Sequence, residues 1–206
     1  MRERQPFSLW ATEQVLTMLD DNPIFEALDR GVVQRCPLVL DQVTTLSGPE
    51  GNLGIEVLAF AVPGKVPLYL EKQTGGDLGG SPEGSIGLEV SAGGKTFHYI
   101  PGCVGLTLAM RDRIRGSSLL FFDGTLWSDD EMIAAGLGRK TGRRMGHMSM
   151  SGPEGSIALL GDLEIRRKMF IHVNNSNSAL LADSPQRAEL VRAGWGVAAD
   201  GMEIDL

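Results

Sequence analysis

Two short apolar runs in the second half of the chain each stop on a side chain able to bind a metal. Leu119-Leu120-Phe121-Phe122 ends at Asp123, and Met169-Phe170-Ile171 ends at His172. Between them, Gly146-His147-Met148-Ser149 sets a third such side chain just ahead of a helix-opening segment. Short apolar runs bounded by turn formers read as buried strands, and ligand sites in open sheets lie just beyond strand ends. Taken singly, each position has a plain structural reading. Asp123-Gly124 is a common turn pair, a loop histidine bonds to backbone, and a strand histidine is usually a satisfied core residue. Three in order, with glycines and small polar residues around them, point to a site.

The rest of the chain fits a sheet protein. Phe7–Trp10 reads as a strand, Thr12 as the cap of a helix to about Leu19, and Asn22-Pro23 as the start of a further helical turn ending near Leu28. Strands are expected at 38–40, 55–62, 66–71, 85–91 and 96–100, with Gly93-Gly94 as the hairpin turn between the last two. From there the order changes to alternation. The pattern predicts a helix over 106–115, a strand over 119–122, and a helix capped by Ser128 and stopped at Gly136. A capping box at 151–154 opens a helix over 152–160, followed by a strand over 169–173 and a helix from Ser184-Pro185 to about Ala193. Two short final strands, 196–199 and 202–206, turn at Asp200-Gly201. Strands first, then strands and helices by turns, fit two stacked sheets with helices outside. Many of the 27 glycines cluster at 75–94 and 136–161, between apolar runs, as tight turns require.

Composition narrows the function classes. A 206-residue chain fits one domain. A mean hydropathy of −0.02 and the lack of any apolar run near the roughly 20 residues of a spanning helix argue against a membrane protein. A charged N-terminus without an apolar stretch behind it argues against a secretory signal. The net charge of −7 argues against nucleic-acid binding, which leaves a basic footprint. Two distant cysteines, Cys36 and Cys103, suit a reduced cytoplasm and support neither a disulfide framework nor a zinc ribbon.

The segments Phe121-Phe122-Asp123-Gly124-Thr125-Leu126-Trp127, Gly138 to Ser156, and Phe170-Ile171-His172-Val173-Asn174-Asn175-Ser176-Asn177 closely resemble the C-terminal part of the pyrroloquinoline quinone (PQQ) biosynthesis protein B family. That family is a member of the metallo-β-lactamase-like superfamily. Residue 178 is Ser where relatives are expected to carry Pro. The resemblance implies an α+β fold, an αββα sandwich incomplete at its N-terminal side, with residues 1–206 as a single domain forming the C-terminal two-thirds of the family's chain. It also implies an Asp/His motif and a cysteine cluster ahead of the point where this chain begins. Phe97-His98-Tyr99-Ile100-Pro101-Gly102-Cys103 resembles the family too. Related hydrolases carry a bridging Asp near Pro101-Gly102-Cys103, and its absence here argues against a two-zinc hydrolytic centre.

By the same resemblance Asp123, His147 and His172 are expected to hold a metal, iron (Fe2+) first and zinc second, with Asn174 and Asn175 shaping the reaction site. Two histidines and a carboxylate are also the ligand set of mononuclear non-haem iron oxygenases. Arg139, Lys140, Arg143 and Arg144 put four cations into six positions of an acidic chain. They read either as a solvated loop or as a rim, with Arg139, Arg143 and Arg144 binding the carboxylates of a PQQ precursor. Two functions follow from the resemblance: iron-dependent hydroxylation of the tyrosine moiety of a peptide-derived, dipeptide-like precursor, or non-enzymatic transport of PQQ or its precursor towards the periplasm. An inactive truncated product is the third reading. Other PQQ biosynthesis proteins are the expected partners, and a homodimer would cover an apolar face left open on the N-terminal side.

Overall fold

Alternation of inward and outward side chains dominates the first half of the chain, and strand–helix succession the second. The computed structural model describes residues 5–65 and 83–206. Strands β1 (Phe7–Ala11) and β2 (Val33–Pro37) form a two-stranded parallel pair, with helix α1 (Glu13–Asp20) and a 3-10 turn (Pro23–Ala27) between them. Thr12 stands at the N-cap of α1, but its hydroxyl donates to the carbonyl of Glu83 rather than capping the helix.

Among the described residues the main sheet has seven strands in sequence order: β3 (Val43–Gly48), β4 (Gly51–Ala61), β5 (Ile86–Ala92), β6 (Lys95–Ile100), β7 (Leu120–Asp123), β8 (Lys168–Ile171) and β9 (Trp195–Val197). The first four run antiparallel, and from β6 onward neighbours are parallel. Parallel neighbours need crossovers. Helix α2 (Leu108–Ile114) lies in the first, the short helices α3 (Glu131–Ala134), α4 (Gly142–Met145) and α5 (Ser156–Leu159) in the second, and α6 (Pro185–Arg192) in the third. The core lies between sheet and helices, built on Ile100, Leu120, Phe122 and Phe170 from the strands with Ile114 and Leu190 from the helices. Phe170 and Trp195 stack at 4.0 Å between centroids.

Several sequence expectations need correction. The strand expected at 38–40 is absent. Pairing with β1 ends at Pro37, and β2 lies earlier, over Val33–Pro37. Strand β3 is unforeseen: its Val-Thr-Thr-Leu-Ser-Gly run is half polar because it is the sheet edge. The helix expected over 152–160 is only Ser156–Leu159, capped by Gly155, because Gly152 takes a left-handed φ of +84°. The helix expected from Ser128 begins at Glu131. Residues 202–206 form no strand. The strand expected at 66–71 lies outside the described residues.

Candidate metal centre

Two ligand candidates stand at the C-terminal ends of neighbouring parallel strands, and the third reaches them from the crossover between those strands. Asp123 is the last residue of β7, His172 follows β8 directly, and His147 follows the left-handed Gly146 that caps α4 (φ +104°). Gly124 permits the convergence by its size. A Cβ there would lie 2.7 Å from Met150 Cε and 2.8 Å from Phe170 Cβ, so the Asp123 loop could not settle onto β8. One ligand atom from each of Asp123, His147 and His172 lies within 4.8 Å of the others, and no other group of three or more His, Cys, Asp or Glu side chains among the described residues could hold a metal.

Asp123 is fully buried, and four donors surround its carboxylate. Oδ2 accepts the Cys103 backbone N–H at 3.0 Å and lies 2.8 Å from His147 Nδ1. Oδ1 accepts the Thr125 backbone N–H at 3.0 Å and the Thr125 hydroxyl at 2.6 Å. Burial alone would raise the pKa of this carboxyl. Hydrogen bonds from His147 and Thr125, the approach of His172 and the charge of His147 outweigh burial and hold it below the ordinary carboxylate range. Thr125 links the set: having donated to Asp123, its oxygen lies 3.0 Å from His147 Nδ1 and 2.8 Å from His172 Nδ1 and can accept from both. The two imidazoles stack at 5.2 Å between centroids.

His172 differs from the other two. Its side chain is 56 % exposed, against 18 % for His147, and its backbone is left-handed at φ +53°. That conformation costs an L-residue about 1–2 kcal/mol. The Asp123 carboxylate, 3.9 Å from Nδ1, raises its pKa, and partial burial opposes the shift.

Of the other expected site residues, Asn174 is half-buried beside the centre, where its amide donates to Ser176 Oγ at 2.7 Å, and Asn175 is exposed. Arg139, Arg143 and Arg144 are exposed, the last two on the helix that leads into His147, and Arg143 lies 4.0 Å from Glu154. Sequence reasoning missed three neighbours. Thr125 reads as a turn residue after Asp-Gly. Lys65 arrives from far away in the chain: its Cβ lies 3.2 Å from where a Cβ on Gly146 would stand. Burial, then the nearby charges of Lys140 and Arg144, lower the pKa of its ammonium. Asn177 is buried and donates to the Gly124 carbonyl at 3.1 Å, fastening one ligand loop to the other.

The donor set suits a divalent transition metal: one ionised carboxylate and two imidazoles, already brought together by hydrogen bonds. The residues present therefore fit such an ion.

Known proteins resemble the chain along its length. A family profile described as a beta-lactamase superfamily domain matches residues 1–173. The chain is 55% identical over 207 residues to coenzyme PQQ synthesis protein B of Gluconacetobacter diazotrophicus, covering 99% of this chain and 67% of that one. It is 49% identical to the protein of the same name from Xanthomonas oryzae pv. oryzae, covering 100% and 67%. Among solved structures it matches zinc-bound PqqB from Methylobacterium extorquens with a TM-score of 0.90 and 45% identity, over 100% of this chain and 67% of that one. The metallo-β-lactamase fold protein YhfI of Bacillus subtilis shares the fold at a TM-score of 0.63 and 10% identity.

Proposed function

The chain belongs to the PqqB family of the metallo-β-lactamase superfamily, and from that premise we propose that it acts in coenzyme PQQ synthesis as a metal-dependent hydroxylase of the tyrosine moiety of the peptide-derived precursor. The observation that carries the reading is the cluster of Asp123, His147 and His172 at the C-terminal ends of β7 and β8. In this reading the three residues hold Fe2+, with Zn2+ as the alternative occupant. Bound iron would supply oxygen activation for hydroxylating an aromatic ring.

The chain's own groups prepare that chemistry. Asp123 stays anionic because its four donors satisfy it, and it turns the His147 imidazole towards the centre. Thr125 does the same for His172. The half-open His172 side leaves room for a substrate ring, and the amides of Asn174 and Asn175 orient it. Arg139, Arg143 and Arg144, joined by Lys65 and Lys140, grip the precursor's carboxylates, where guanidinium forks pair them bidentately. A carrier of PQQ towards the periplasm would use this cationic arm but would not need the three ligands. No helix among the described residues is long and apolar enough to cross a membrane.

Anaerobic loading of the 206-residue chain with Fe2+ tests the proposal. Near-stoichiometric iron is expected, lost in both His147→Ala and His172→Ala. A tyrosine-containing precursor supplied with oxygen and a two-electron reductant should then gain one oxygen atom on its ring, the second leaving as water. Tight PQQ binding without metal and without turnover would replace the hydroxylase reading with the carrier.

A further inference from the structure

Glu131 reads in the sequence as an acidic residue suited to a helix start, yet its carboxylate joins the two loops that bear the candidate ligands. Strands β7 and β8 stay in register only as far as Asp123 and Ile171. Beyond that point the loops are held by separate bonds. The Gly124 N–H donates to the Ile171 carbonyl at 2.9 Å, and the Asn174 N–H to the Thr125 carbonyl at 3.1 Å. Farther out, a directed chain of hydrogen bonds runs from Asn174 Nδ2 to Ser176 Oγ at 2.7 Å, and from Ser176 Oγ to Glu131 Oε1 at 3.1 Å. The other oxygen, Oε2, accepts the Trp127 N–H at 2.6 Å. Two donors from opposite loops thus meet one carboxylate, a group that accepts at both oxygens when ionised.

We infer that Glu131 is a positioning residue: it ties the loop carrying His172 and Asn174 to the loop carrying Asp123 and Thr125, and so sets where the His172 imidazole stands. His172 needs such support. Its backbone is left-handed and its side chain more than half exposed, so little packing holds it. Partners that orient a metal-binding histidine commonly change metal affinity by about 10–100-fold when removed. The inference rests on reading Asp123, His147 and His172 as a metal centre, and it adds a residue that touches neither metal nor substrate.

The test compares the parent chain with Glu131→Ala and Glu131→Gln. Gln keeps one acceptor and must turn its NH2 towards the other donor, so it should fall between parent and Ala. Zn2+ affinity, read by competition with a chromophoric chelator, should drop about 10–100-fold in Glu131→Ala. The loss should largely vanish when both chains also carry Ser176→Ala, because the tie is then already cut. A merely structural role would leave the two effects additive. Amide exchange of the metal-free protein gives a second readout: Trp127, Asn174 and Asn177 should exchange faster in Glu131→Ala, while β7 and β8 keep their protection. Parent-like Zn2+ affinity in Glu131→Ala, or additive losses with Ser176→Ala, would overturn the inference. A parent that binds no Zn2+ sinks the metal-centre reading instead. The exchange experiment then decides the tie on its own, and unchanged protection in the variant removes it.

Discussion

Two groups built around histidine stand at opposite ends of β7. His98 on β6 is in register with Leu120 at the start of β7, and Asp123 closes that strand. Each end offers imidazole, hydroxyl and carboxylate, but burial is distributed in opposite ways. At the first end the imidazole is sealed. His98 is 5 % exposed, with Nδ1 2.8 Å from Ser117 Oγ. The Ser117 hydroxyl donates to the Ile114 carbonyl, so it accepts from His98. Glu89 remains partly solvated, its carboxylate 3.3 Å from His98 Nε2, and Nε2 has no hydrogen-bond partner among the described residues. Burial lowers the His98 pKa. The Glu89 carboxylate opposes that shift, and Arg113 adds to it. At the second end the carboxylate is sealed and an imidazole faces water. Burying the base yields a neutral cross-link between elements. Burying the acid among donors yields an anion to which imidazoles are drawn, and that arrangement is the one able to take up a metal.

The largest break in this contrast comes from Asp123→Asn. It removes the buried charge and turns an NH2 towards groups that already donate, so the chain should lose about 3–5 kcal/mol of stability along with its metal affinity. Thermal unfolding and chelator competition read both. Thr125→Val keeps the shape and deletes the shared hydroxyl. A loss of about 1–3 kcal/mol and about tenfold weaker Zn2+ binding are expected. Ser117→Ala sharpens the comparison from the other side: denaturant unfolding should show a loss of about 1 kcal/mol, with Zn2+ affinity equal to the parent.

Acid titration separates the clusters further. The folded His98 pKa lies below its unfolded value of 6.5, so the unfolded chain binds the proton first as pH falls. The stability contributed by neutral His98 is therefore complete above pH 6.5 and declines below it, towards the lowered folded pKa. His98→Gln should flatten the stability profile in that window. Asp123, held below 3.8, should contribute its loss only at more acidic pH. The smallest effect on the fold is expected from Arg143→Ala with Arg144→Ala. Stability should stay within about 0.5 kcal/mol, while affinity for a polycarboxylate precursor falls and its salt dependence flattens. Unchanged precursor affinity would remove the cationic rim from the reading.

The second half of the fold was more legible than the first, and the reason is local. Runs such as Leu119–Phe122 and Met169–Ile171 are apolar throughout, with Leu120, Phe122 and Phe170 packed in the core and Phe121 against Phe97 and Tyr99, so they stand out as strands. The edge strand Val43–Gly48 faces no such demand, and its polar residues hide it. The ligand candidates were readable because each closes an apolar run or precedes a helix. The neighbours that organise them were not. Thr125 gains its meaning from two imidazoles that lie 22 and 47 positions away. Glu131 fits a helix start equally well whether or not Ser176 reaches it. Lys65 meets the basic segment through the fold, packed beside Gly146. Local pattern marks where a ligand candidate stands, and only tertiary contact shows what orients it.

The burial of Cys103 has a practical consequence. Its thiol is fully enclosed, donates to the Gly105 carbonyl, and is pushed up to about 12 by burial, with the Gly105 bond opposing and the Asp123 charge adding. Alkylating agents and peroxides attack the thiolate, and almost none forms at neutral pH while the fold is closed. Cys36 is buried as well. A sulfhydryl reagent applied to the intact protein should therefore stay unconsumed until the chain opens, which makes its two cysteines a built-in clock for unfolding beside a centre proposed to handle oxygen.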